Sequence, residues 1–147
     1  MKSNINIILL LLVIFSASVF AQREFHSWKK LNVKDKKVWY DEAGLDTSNT
    51  NYIEVWVLQQ FTPPLTIKEL PGTIYRSKTL YTISLKTAKY GIEQVIYYDS
   101  SDKELYNFNY GIADYPDKYK FTYPVLADSF LHKILKEYFK KKGVTNN

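Results

Sequence analysis

Among its 147 residues the chain has no cysteine, one methionine, two histidines and five glycines. The missing cysteine excludes disulfides, thiolate chemistry and cysteine-ligated metal, so the fold must be held by its core alone. It also argues against lipid attachment through a cysteine at a processed N-terminus. The histidines, His26 and His132, stand far apart in sequence, and nothing in their spacing pairs them. No HExxH, GxSxG or glycine-rich phosphate loop is present. There is no acidic excess either: 20 basic residues against 15 acidic give a net charge of +5. Internal repeats, low-complexity tracts and linkers are absent.

The strongest positive signal is at the start. Lys2 is followed by an unbroken apolar run from Ile7 to Phe15, then by Ser16, Ala17 and Ser18, and by Val19-Phe20-Ala21. This is the layout of a secretory signal peptide cut before Gln22. The run falls short of the roughly 20 apolar residues that a spanning helix needs. The sequence therefore divides into a signal peptide at 1–21 and an exported domain at 22–147, with no transmembrane segment in the mature chain. Expected locations are the periplasm, the outer-membrane surface or the medium.

The domain is rich in aromatics, with 13 tyrosines, 8 phenylalanines and 3 tryptophans in the whole chain. Short strands are expected at Ser27 to Asn32 and Lys37 to Asp41. The polar stretch Glu42 to Asn51 reads as a turn. Tyr52 to Phe61 is the clearest strand: Ile53, Val55 and Val57 share one face, and Glu54, Trp56 and Leu58 share the other. Pro63-Pro64 should end it, leaving a loop from Thr62 to Gly72. Ile74 to Leu85, Gly91 to Asp99 and Glu104 to Tyr110 follow as strands, the last two as a hairpin. The aromatic face of Tyr106, Phe108 and Tyr110 is expected to point inward. Gly111 to Pro124 reads as a loop with a short extended piece through Tyr119, Phe121 and Tyr123.

A helix closes the chain. Phe130, Leu131, Ile134, Leu135, Tyr138 and Phe139 form an apolar stripe. Asp128 is the expected N-cap, and Gly143 is placed to end the helix. Lys140, Lys141 and Lys142 suit the negative end of its dipole, so the stripe predicts docking on a sheet rather than on a membrane. The fold class is thus α+β: a single antiparallel sheet of about six strands with one C-terminal helix packed on it.

Catalysis finds little support. Asp41 beside Glu42 reads as a turn-forming aspartate, and His132 as a partly exposed helix residue. No catalytic residue, cofactor site or metal site is expected. Nucleic-acid stacking on the tyrosine-rich strands conflicts with export.

The ordered motifs resemble the surface-adhesin protein E-like family of bacterial envelope proteins. They are Trp28-Lys-Lys-Leu31, Val38-Trp-Tyr-Asp41, Ile53-Glu-Val-Trp-Val57, Ser77-Lys-Thr-Leu80 running through Leu85 to Tyr90-Gly-Ile92, and Tyr123-Pro-Val125 with Asp128-Ser129 and Leu131. The resemblance implies a six-stranded antiparallel sheet with a C-terminal helix at the cell envelope or surface. For the family's named member it implies adhesion to host matrix and serum proteins. Family members often carry a cysteine pair suited to tying helix to sheet; here Leu85 and the neighbourhood of Phe139 stand at those positions. The expected job is non-enzymatic binding of a protein partner, with homodimerisation or sheet-edge pairing as routes. The contact candidates are Trp56, Tyr97, Tyr98, Tyr115 and Tyr119. The alternative is a small-ligand binder or enzyme with an aromatic-lined pocket and convergent polar groups from Asp41, Arg76 or His132.

Overall fold

The computed structural model describes residues 26–46 and 48–143. The signal-peptide reading lies outside the described residues. Seven strands form one antiparallel sheet: β1 Trp28–Val33, β2 Lys36–Asp41, β3 Tyr52–Ile67, β4 Leu70–Ser84, β5 Lys89–Tyr98, β6 Glu104–Asn109 and β7 Tyr123–Pro124. β1 to β6 are neighbours in chain order, and the two-residue β7 pairs with β5 beyond the end of β6. Between β6 and β7 lie a 3₁₀ turn, Ile112–Asp114, and a short helix α1, Asp117–Lys120; helix α2, Phe130–Lys141, follows. The sheet-plus-helix α+β architecture therefore matches the pattern of the sequence.

Strand alternation sorts side chains onto two faces. Leu31, Val38, Tyr40, Ile53, Val55, Val57 and Ile83 point toward α2 and form the core with Leu131, Ile134, Leu135 and Tyr138. Phe130, Phe139 and Leu85 pack partly buried around it. Leu45, from the loop after β2, enters the same core. The Lys141 ammonium donates to the Glu42 and Leu45 carbonyls, and the Tyr138 hydroxyl to the Asn49 carbonyl, tying that loop to the end of α2.

Three local expectations are corrected. Ser129, not Asp128, caps α2, its hydroxyl accepting from the His132 amide at 3.2 Å. β3 does not stop at Pro63-Pro64 but continues to Ile67. The prolines fall in the irregular stretch between Gln60 and Leu65, where the ladder with β4 is broken and no amide is required. Residues Asp117–Lys120 are helical rather than extended, so only Tyr123–Pro124 pairs as strand.

The two sheet margins differ. Along β1 the Lys133 ammonium of α2 donates to the Asn32 carbonyl, and Lys29 bridges Glu42 and Glu137. The helix thus contacts that margin at two points. On the other margin the chain leaves β6 at Gly111, whose left-handed backbone (φ 59°) turns it outward. It returns at Tyr123 to resume pairing with β5. β6 and β7 act as one margin strand interrupted by a compact loop whose ends stay close, an Ω-loop.

Candidate functional site

That Ω-loop is the most exposed aromatic feature of the described residues. Tyr110, Tyr115, Tyr119 and Tyr123 are 51 to 60% exposed, and Leu126 66%. The first and last tyrosines stand at the loop's neck, and the middle two on its crest. Between them lies an open groove of about 410 Å³, lined also by Ile92, Ile112, Lys120 and Thr122. Lys120 anchors the loop internally, its ammonium donating to the Ala113 carbonyl. Phe121 is buried at the loop's base.

The groove floor requires glycine. A Cβ at Gly91 would overlap the Lys120 carbonyl oxygen and lie 2.6 Å from Ile112 Cδ1. The bare backbone of β5 is what lets the loop close down on the sheet.

The five sequence-predicted contact residues do not form one patch. Tyr115 and Tyr119 are brought together on the loop. Trp56 is half-buried on the face of the sheet opposite α2. Tyr97 is half-buried on the α2 side, its ring centre 6.3 Å from that of Phe108. Tyr98 is half-buried beside Glu104 on β6. Burial, first of all, pushes the hydroxyls of Tyr97 and Tyr98 above the usual tyrosine range. The inward expectation for the β6 aromatics is met only in part: Tyr106 and Phe108 are half-buried, stacked at 6.1 Å outside the core under α2, and Tyr110 is exposed. There the chain has already turned away at Gly111.

Asp41, Arg76 and His132 do not converge. Arg76 pairs with Asp102. His132 rides on α2, across the sheet from Asp41. Asp41 instead meets His26, a pairing with no sequence signal because the two lie 15 residues apart on neighbouring segments. Its carboxylate accepts from His26 Nδ1 at 2.8 Å, from the Ser27 amide at 2.8 Å and from the Ala43 amide at 3.1 Å. His26 Nε2 lies 2.8 Å from the Lys78 ammonium. Burial pushes the Asp41 carboxyl up, but the hydrogen bonds from His26 and Ser27 outweigh it and hold the acid below its usual range. Both imidazole nitrogens are thus engaged, and the trio clamps the chain before β1 onto β2 and β4. The turn reading of Asp41 is incomplete: it caps the turn through Ala43 and also fixes the chain before β1.

No cluster of three or more metal-ligating side chains occurs among the described residues, and no described helix is long and apolar enough to cross a membrane. No protein-family model, no curated protein and no solved structure matches this chain.

Proposed function

We propose that this chain is an exported binding domain of the bacterial envelope or cell surface, working without catalysis through contact with a protein partner, in the manner of the surface-adhesin E-like domains it resembles. Export rests on the leader pattern at residues 1–21. The binding role rests on one observation above the others: four exposed tyrosines gathered on a single loop around a groove. Tyrosine offers a large rigid contact area with a hydroxyl for hydrogen bonding at little conformational cost. Placed on an Ω-loop over a continuous sheet, such rings are held ready for a partner.

The test is capture from solubilised envelope and from host serum or matrix by the wild-type protein and by Tyr115→Ser/Tyr119→Ser. A specific partner retained by the first and lost by the second supports the reading. Equal capture by both, or none by either, ends it. The groove itself favours a second reading, a small-ligand binder held by the same rings. That reading predicts saturable protection of the Ω-loop from proteolysis by a metabolite pool free of protein.

A further inference from the structure

The sheet carries a second surface, on the face turned away from α2, and it is built differently from the tyrosine loop. Its layout follows from register. Trp28 of β1 lies opposite Asp41 of β2, and Trp56 of β3 opposite Leu80 of β4. One row along, Lys30, Trp39, Leu58 and Lys78 stand side by side across β1 to β4. In the next row Asn32 faces Lys37, and Lys37 faces Gln60. Rows repeat about every 7 Å and strands about every 5 Å. All three tryptophans of the chain therefore sit on one face, on three successive strands, interleaved with lysines. Each is half-buried.

The charge on this face is divided: Glu54 and Glu93 stand together near Thr82, one row beyond Trp56, whereas Lys30, Lys37 and Lys78 gather around Trp39. Its one carboxylate among the tryptophans, Asp41, is 4% exposed and turned onto His26 and Ser27. The His26 ring lies over it between Trp28 and Trp56, at 5.1 and 6.3 Å. The Lys78 ammonium sits 4.3 Å from the Trp56 ring centre. Lys30 and Lys37 are exposed, and no acid lies within ion-pair reach of either among the described residues.

We propose that this face binds a linear acidic polysaccharide. The C–H faces of the sugar rings would lie on Trp39 and its neighbours, against the negative π-face. Sulfate or carboxylate groups would pair with Lys30 and Lys37. A flat, repeating grid of rings and cations suits a repeating, extended polyanion better than a compact ligand, which needs a concavity. Single-stranded nucleic acid has a related stacking-and-charge chemistry; the leader at residues 1–21 favours the glycan, the polyanion met outside the cytoplasm. The site is separate from the tyrosine loop, so this inference stands or falls independently of the proposed protein partner.

Because every tryptophan is on this face, intrinsic fluorescence reports the site alone. The experiment titrates the protein with heparin, with uncharged dextran and with oligodeoxythymidine, at low and high salt. Heparin is expected to shift the tryptophan emission saturably, to lose affinity as salt rises, and to bind tighter than the oligonucleotide; dextran should leave the emission unchanged. Lys30→Glu/Lys37→Glu should weaken heparin about ten-fold or more, with its unfolding midpoint checked to confirm an intact fold. Lys140→Glu/Lys141→Glu, of equal charge change on the far side, should weaken it far less. An unchanged emission, equal loss in both double variants, equal response to dextran, or tighter binding of oligodeoxythymidine would each overturn the proposal.

Discussion

The two faces of the same strands are made by alternate residues, and they obey different rules. On β3, Val55 and Val57 are buried beneath α2, whereas Trp56 and Leu58 between them are half-open on the other side. On β2, Val38 and Tyr40 face the helix, and Trp39 and Asp41 face away. The covered face is filled by aliphatic side chains and by the buried rings of Tyr40 and Tyr138. The uncovered face keeps its large rings partly wet, answers its one deep carboxylate with a histidine and two amides, and borrows the Ω-loop as a cover near Gly91. The lesson is that a sheet with one helix has one face whose residues are chosen for packing and another free to carry surface chemistry.

The largest way to break this contrast is on the covered face. Ile134 is fully buried in the core, so Ile134→Ala should cost about 2–5 kcal/mol in chemical denaturation. A loss below about 1 kcal/mol would mean α2 is not what closes the core. Gly91→Ala attacks the cover on the opposite face. The added methyl forces the Lys120 carbonyl and Ile112 away, at about 2–3 kcal/mol, with faster proteolysis between Gly111 and Thr122. Unchanged cleavage there would show that the loop does not rest on Gly91.

Asp41→Asn removes the charge from the clamp while keeping its shape, and should cost about 1.5–2 kcal/mol at neutral pH. The pH dependence has a fixed sign. The folded-state pKa of Asp41 is depressed, so its contribution is present above the unfolded value, about 3.9, and is lost as pH falls through the folded value. The gap between wild type and Asp41→Asn should therefore close below about pH 4. A gap that persists into stronger acid would mean the carboxylate is not the source of the stability.

The finest comparison lies within the covered face. Tyr40 and Tyr138 are both buried, but only Tyr138 has its hydroxyl satisfied, donating 2.8 Å to the Asn49 carbonyl. The Tyr40 hydroxyl has no hydrogen-bond partner among the described residues. Tyr138→Phe should cost about 1 kcal/mol, and Tyr40→Phe about zero or a slight gain. Equal costs at the two positions would contradict the difference in hydrogen bonding.

Most elements were legible because their signals are local. The alternation of Ile53, Val55 and Val57 set the strand and its inward face. The stripe from Phe130 to Tyr138 set the helix and its docking side. The cap was missed by one residue because Asp128 and Ser129 are both good cap formers, and only the backbone path chose the second. The Pro63-Pro64 stop failed because β4 folds back far enough to carry the hairpin on past a break in the ladder.

The candidate sites were legible only in part, and the reason is physical. Tyr115 and Tyr119 could be picked out as loop aromatics, but joining them to Tyr110 and Tyr123 required knowing that β6 and β7 are one interrupted strand. His26, read as an isolated histidine, gained its role from Asp41 and Lys78, 15 and 52 residues away. The sequence by itself determined which residues alternate, where the chain must turn and that one helix must dock, since these follow from backbone geometry and hydrophobicity over a few residues. The tertiary structure alone decided which tryptophans share a face, which glycine must lack a side chain and which tyrosines surround one groove. Those facts depend on strand register, and register is fixed by the whole packed sheet.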